Sequence, residues 1–280
     1  MIFMAELLIN NKIYSLEPYA CSPSNMFPFY INVTNVCNAK CEFCVNGCNK
    51  DCGKLNLEEL ETILDQVSDR VTRFSVTGGE PLINATDVEN LLKLLEKYNK
   101  SIILNTNGSF LLKNIDMINK YKITSVQLSR HHYEDSKNEE VFKIKTIPFS
   151  ELISLKSKLK CDLRINCLLI KGYIDSKDEI IKFLEEISKT DINSVGFISM
   201  TQVNEYTKEH FIDYRDITKD LGFDFVQTLS MHDGDRCSCT NNMYIANNGK
   251  TIFVYFRYKK DYEESKKSLF YDSTGLKEGY

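Results

Sequence analysis

Three thiols fall within eight residues, in Cys37-Asn38-Ala39-Lys40-Cys41-Glu42-Phe43-Cys44. Spacing this tight on one loop makes a ligand set. Thiolates are the natural ligands of iron-sulfur clusters, and three of them on a four-iron cluster leave one iron open to an external ligand, where chemistry can start. Zinc is the alternative: its tetrahedron needs a fourth protein ligand, which Cys48 or Cys52 could provide. On the cysteines alone both metals remain open. The chain's ten cysteines also include Cys21 and the pairs Cys161/Cys167 and Cys237/Cys239. In a chain of 280 residues whose start, Met-Ile-Phe-Met-Ala-Glu, lacks the basic-then-apolar pattern of a secretory signal, metal or redox use is expected ahead of disulfides.

Thr77-Gly78-Gly79-Glu80-Pro81 is the second candidate set. Consecutive glycines let backbone approach a ligand closely, and a carboxylate beside them can receive an ammonium group. By itself the segment reads as an ordinary turn from strand to helix. Its place one strand-helix unit after the cysteine loop is what makes it specific.

The elements that must position these residues alternate. Phe29 to Val36 reads as a strand running into the cysteine loop, and Leu57, Leu60, Ile63, Leu64, Val67 and Val71 recur at helical spacing after a cap-like Asn56/Glu59. Strand Thr72 to Val76 precedes a helix from Val88 to Tyr98 with Thr86 and Glu89 as a capping box; strand Ile102 to Thr106 precedes a helix around Leu111 to Tyr121. Strand Thr124 to Leu128 leads through a polar stretch to a helix near Glu151 to Leu159, strand Asp162 to Ile170 to a helix capped by Ser176 and Glu179, and Ser194 to Met200 is a sixth strand. Six such units predict an α/β fold with a parallel sheet, short of the eight units of a closed barrel. From Val203 the pattern changes to a helix near Glu209 to Leu221, a short strand Phe223 to Gln227, and a hairpin turning at Asn248-Gly249 between Met243 to Ala246 and Thr251 to Tyr255. The charged, Tyr-rich tail from Lys259 is expected as a loose helix or an ordered lid.

With both motifs so placed, the chain resembles the radical S-adenosylmethionine (SAM) superfamily, whose Cys-x3-Cys-x2-Cys loop follows the first strand and whose Gly-Gly-Glu motif follows the second. The likeness continues through Asn105-Thr106-Asn107-Gly108 and covers about residues 29–200. It implies a partial (β/α)6 TIM-like barrel in 29–202, after a short N-terminal segment 1–28 and before a C-terminal α/β extension, 203–280. It further implies that a [4Fe-4S] cluster on Cys37, Cys41 and Cys44 chelates SAM at its open iron and cleaves it to a 5′-deoxyadenosyl radical, which takes a hydrogen atom from the substrate. Carried over position by position, Phe43 lies near the adenine, Gly78, Gly79 and Glu80 hold the SAM ammonium, Asn105 stands beside the cofactor, Ser129 and Arg164 face the SAM carboxylate, and Met200 packs on the adenine. A flavodoxin- or ferredoxin-type protein is the implied electron donor.

Two features depart from the family pattern. Ser129-Arg130-His131-His132-Tyr133-Glu134-Asp135 stands where many relatives carry Ser-x-Asp-Gly, and it holds two of only four histidines, which makes His131 and His132 candidates for substrate binding or proton transfer. Cys237 and Cys239 stand where relatives with C-terminal extensions bind an auxiliary cluster. Such extensions usually carry further cysteines, and none follows Cys239, so free thiols are the competing expectation.

Composition narrows the function classes. Thirty-five basic against 39 acidic residues, a net charge of −4 and no long block of one sign predict neither a nucleic-acid nor an anionic-membrane partner. No apolar run approaches the roughly 18 residues of a membrane span, so a cytoplasmic protein is expected. The extension is poor in cysteine and the first 28 residues are too few for a recognition domain, which favours a small-molecule substrate over a ribosomally made peptide. A non-catalytic zinc-binding interaction protein and an activase that places a glycyl radical on a partner are the alternatives from other classes.

Overall fold

The computed structural model describes residues 5–16, 26–46, 53–218, 225–231, 240–257 and 268–279. The stretch before the cysteine loop, loosely patterned in sequence, holds a hairpin of β1 (Ala5–Ile9) and β2 (Lys12–Leu16), turned by Asn10 and Asn11 at φ 49° and 62°. Two consecutive positive φ values make the type of turn whose twist matches its strands, and Asn tolerates them.

Six strand-helix units follow in the expected order. They are β3 (Phe27–Asn32) and α1 (Leu57–Val67), β4 (Val71–Thr77) and α2 (Ala85–Leu95), then β5 (Ser101–Thr106) and α3 (Ile115–Lys120). β6 (Ser125–Ser129) is followed by α4 (Asp135–Phe142), α5 (Phe149–Leu152) and α6 (Leu155–Lys158), β7 (Asp162–Leu169) by α7 (Lys177–Ser188), and β8 (Ser194–Ser199) by α8 (Glu205–Glu209) and α9 (Tyr214–Thr218). α1 shows why these segments are helices: Asn56 accepts the Glu59 N–H at 3.1 Å, and Leu60, Ile63, Leu64 and Val67 form one buried stripe. Each such side chain contributes about 1.5–3 kcal/mol through burial.

The strands alternate strictly. In β7, Leu163, Ile165, Cys167 and Leu169 are buried beneath the helices, whereas Arg164, Asn166 and Leu168 are half-buried on the opposite face. That second face is the lumen, and Asn105, Gln127 and Ser129 continue it on neighbouring strands.

The C-terminal region is woven into the same sheet. β9 (Phe225–Met231), β10 (Thr240–Ile245), β11 (Thr251–Arg257), β12 (Leu269–Asp272) and β13 (Gly275–Glu278) give the order β13-β12-β3-β4-β5-β6-β7-β8-β11-β10-β9. β11 runs parallel to β8 and β12 parallel to β3, so the extension adds one parallel strand at each edge of the six-stranded core. No pairing joins the two ends among the described residues, and the barrel is open.

Several local expectations are corrected. Asn84, not Thr86, caps α2, through the Asp87 N–H, because the helix begins at Ala85. The expected Glu151 to Leu159 helix is broken between α5 and α6, where Asp191 accepts the Lys156 and Ser157 N–H groups at 3.0 and 2.6 Å and ends the run. The helix expected from Glu209 to Leu221 is two short ones, because Phe211 bridges to Ile170 between them. After 258–267, which lie outside the described residues, the tail forms the β12/β13 hairpin rather than a helix.

Candidate active site

The cysteine loop leaves β3 and lies directly on the turn after β4. Gly79 donates its backbone N–H to Thr34 O at 2.6 Å, Glu80 donates to Val36 O at 3.0 Å, and Asn46 Nδ2 donates to Gly78 O at 3.0 Å. A Cβ on Gly79 would stand 2.4 Å from Val36 O and 2.7 Å from Asn35 O; one on Gly78 would stand 2.5 Å from Thr34 O. These are backbone atoms that cannot swing aside. The close approach expected of a ligand at these glycines is therefore also an approach of the protein's own cysteine loop.

Glu80 is fully buried. Its carboxylate accepts Thr106 Oγ1–H and Asn107 N–H, each at 2.7 Å, and Leu82 N–H at 3.1 Å. Burial raises its pKa, while the donors from Asn107, Thr106 and Leu82 pull the other way. Most of the acceptor capacity of this carboxylate is spent joining the ends of β4 and β5. Asn107, which the sequence showed only as part of Asn-Thr-Asn-Gly, extends the link: its Nδ2 donates to Asn38 Oδ1 at 2.9 Å and to Cys37 Sγ at 3.9 Å.

Cys37 is buried, and Cys41 and Cys44 are half-buried beside it. Burial, with Cys44 and Cys37 close by, pushes the Cys41 thiol up to about 12. Sulfurs gathered in this way need added positive charge to persist as thiolates, which iron supplies. Among the described residues no three His, Cys, Asp or Glu side chains converge as ligands of one metal ion would. Thiolates of a four-iron cluster bind separate irons and need not converge on one, so the donor set fits such a cluster. Cys21, Cys48, Cys52, Cys237 and Cys239 lie outside the described residues.

Other elements clamp the loop from above β6 and β8. Lys40 N–H donates to Phe142 O at 3.0 Å, Lys143 pairs with Glu42 at 3.3 Å, and Asn204, the N-cap of α8, donates from Nδ2 to Glu42 O at 2.9 Å. Phe43 packs against the cluster of Val141, Ile170 and Met200, joined by Leu168, Tyr173 and Tyr206. Phe43 and Met200 are thus brought together, beside the thiols. Asn204 and Phe142 carried no sequence signal, because what they contribute is a backbone carbonyl and a cap.

His131 stacks on Phe142 at 4.7 Å between centroids and meets Phe43 edge-on at 5.1 Å. Its Nδ1 accepts the Leu168 N–H at 3.0 Å, and burial lowers its pKa to about 3. His132 is buried, with Nδ1 accepting the Glu134 N–H at 2.9 Å and Nε2 unpartnered; burial, with Lys137 next, lowers it to about 4. Both rings are neutral at physiological pH. This geometry makes His131 a wall under Phe43 rather than a proton carrier.

Ser129, the last residue of β6, is half-buried, and its hydroxyl takes no partner among the described residues. Asn105 is tied within the lumen by Nδ2 to Ser75 Oγ at 3.0 Å and to Val76 O at 3.1 Å. Arg164 stands apart from this group. It is in register with Gln127, two residues below the Ser129/Asn166 pair, and lines a cavity of about 550 Å³ with Gln127, Ser194, Asn241 and Tyr255.

The comparisons accord with this arrangement. The family model described as Radical SAM superfamily matches residues 31–216. The chain is 26% identical over 191 residues to a GTP 3′,8-cyclase of Aquifex aeolicus (strain VF5), covering 63% of this chain and 58% of that protein. It is 24% identical over 256 residues to a GTP 3′,8-cyclase of Helicobacter pylori (strain HPAG1), covering 79% and 77%. In fold it is similar to Streptococcus suis SuiB bound to S-adenosylmethionine, with a TM-score of 0.64, 17% identity, and coverage of 92% of this chain and 59% of that one. A radical SAM methyltransferase from Sphaerobacter thermophilus gives a TM-score of 0.60 at 13% identity, covering 94% and 79%. The chain spans less than two thirds of the Aquifex protein and of SuiB.

Proposed function

We propose, because this chain belongs to the radical SAM superfamily, that it is an enzyme that cleaves SAM reductively and takes a hydrogen atom from a small molecule held in the barrel lumen. The carrying observation is the seat of the cysteine loop on Gly78-Gly79-Glu80, which makes the two motifs one structure.

A [4Fe-4S] cluster with SAM at its open iron supplies the chemistry, a 5′-deoxyadenosyl radical released when one electron breaks a sulfonium bond. Cys37, Cys41 and Cys44 would hold that cluster, and Asn107 orients Cys37 through its N–H to Sγ. Backbone of Gly78 and Gly79, with Glu80 behind it, borders the place for the SAM ammonium. The Ser129 hydroxyl serves the SAM carboxylate. Phe43 and Met200 pack the adenine, and the neutral His131/Phe142 stack beside them keeps that wall dry. A flavodoxin- or ferredoxin-type donor delivers the electron.

A small molecule is favoured because the lumen cavity, about 550 Å³, has the size of a single-ligand pocket. The name of the cyclase relatives points to a nucleotide as their substrate, which agrees in size class. SuiB has been seen bound to the precursor peptide SuiA, and that likeness, at 22% identity, is one of fold.

Anaerobically reconstituted protein with dithionite and SAM should yield 5′-deoxyadenosine, and Cys37→Ala, Cys41→Ala and Cys44→Ala should each abolish it. About four irons per chain is expected for one cluster, and about eight would add a second at Cys237 and Cys239. A cell extract split at 3 kDa should stimulate turnover with its small fraction; stimulation by the peptide fraction alone would turn the substrate reading over.

A further inference from the structure

Arg164 is held, yet its charge is not matched. Its Nε donates to Ser194 Oγ at 3.1 Å, and its guanidinium lies over the Tyr255 ring, 5.5 Å from the centroid. Gly196 makes the room: a Cβ there would meet Asn166 Oδ1 at 2.9 Å and the Tyr255 ring at 3.4 Å. The side chain is thereby fixed in one orientation, while no carboxylate pairs with it among the described residues. Asp162 lines the same cavity at the exposed rim and acts on Arg164 only at a distance.

A second cation faces the same space. Arg73 lies on the lumen side of β4, with Ser75 and Thr77, and makes no hydrogen bond or ion pair among the described residues. Three inter-strand steps, about 14 Å on a flat sheet, separate β4 from β7. The curvature of the barrel brings the two closer, and Arg73 adds to the burial that lowers the Arg164 pKa. Two arginines turned toward one polar cavity without an acid between them are repulsive unless a ligand supplies negative charge. A planar fork preset by stacking is suited to take two oxygens at once.

We propose that Arg164, supported by Arg73, anchors an oxyanion of the substrate, phosphate or carboxylate, so that the lumen selects an anionic small molecule. This rests on the enzyme reading above and gives Arg164 to the substrate rather than to the SAM carboxylate. Arg164 sits two residues, roughly 7 Å, below the level of Ser129. The hydrogen-bearing carbon of the substrate should therefore lie within about that distance of its anionic group.

The test is calorimetric titration of the anaerobically reconstituted holoprotein with inorganic pyrophosphate and, separately, with tricarballylate, at constant ionic strength. Binding of pyrophosphate alone assigns a phosphate, binding of tricarballylate alone assigns a carboxylate, and binding of both assigns an oxyanion site without preference. Arg164→Gln should weaken the bound anion at least tenfold, Arg164→Lys less, and Arg73→Gln severalfold; agreement of the three guards against one misfolded variant. Binding of neither anion by the wild type, or unchanged binding by Arg164→Gln and Arg73→Gln, overturns the proposal. So does a fall in SAM affinity of Arg164→Gln with anion affinity intact, since Arg164 would then serve the cofactor. Failure of the wild type to form 5′-deoxyadenosine is a separate readout and would count against the enzyme reading, not against anion binding.

Discussion

Glu80 accepts the Asn107 backbone N–H at 2.7 Å, and the side chain of Asn107 reaches Cys37 Sγ, so the carboxylate after β4 governs the first thiol through one residue after β5. Three protein donors converge on the two oxygens of Glu80. Glu80→Gln replaces one oxygen with an NH2 that must face a donor, an unsatisfied buried pairing worth about 1–3 kcal/mol. The variant should melt several degrees lower and hold less iron after reconstitution than wild type. Equal iron content would show that Asn107 is positioned without Glu80.

Gly79→Ala should be more severe for the cluster than for the fold. The added methyl would meet Val36 O at 2.4 Å and Asn35 O at 2.7 Å, so the cysteine loop must lift, while the strands beneath keep their ladder. Iron per chain should drop by more than half with far-ultraviolet circular dichroism preserved. Ala at Gly249, where a Cβ has open space on every side, is the matched control, and any cost there comes from the positive φ of 81° alone.

The order of the units was legible because hydrophobic periodicity is local: Leu60, Ile63, Leu64 and Val67 announce α1 without reference to anything else. The thiol trio and Gly78-Gly79-Glu80 were legible because their spacing is itself the signal. Pairings between distant segments were not. Nothing in Leu269 to Asp272 says that it joins β3, since that contact is fixed by sheet closure over more than 200 residues of chain. His131 and Arg164 show the same limit at the site. Their types suggested proton transfer and SAM binding, but their roles follow from the Leu168 N–H, Phe142, Ser194 and Tyr255, which only the folded chain brings to them.

Asn107→Asp tests the link to the thiol electrically. The substitution keeps the acceptor used by the Ser109 N–H, removes the Nδ2 donor to Cys37 Sγ, and adds a negative charge. Both changes disfavour the more negative, reduced cluster. A hydrogen bond to a charged group is worth about 1.5–3 kcal/mol, which corresponds to a lowering on the order of 100 mV. Redox titration followed by electron paramagnetic resonance should show it, and an unshifted potential would mean that Asn107 does not reach the bound sulfur.

Acid sensitivity should arise at His131. In the unfolded chain a histidine takes its proton near 6.5, whereas burial holds His131 down to about 3 in the fold. Between those values the unfolded chain binds a proton that the folded chain does not, so this contribution to stability is fully present above pH 6.5 and is lost as pH falls toward 3. At pH 5 the loss is about 2 kcal/mol. His131→Asn preserves an acceptor near the position of Nδ1 for the Leu168 N–H but has nothing to titrate. Its melting temperature should therefore fall less than that of wild type between pH 7 and pH 5, although it starts lower for want of the Phe142 stack and the Phe43 contact. Parallel curves for the two proteins would mean that the ring is protonated as readily in the fold as outside it, and the dry wall beneath Phe43 would have to be given up.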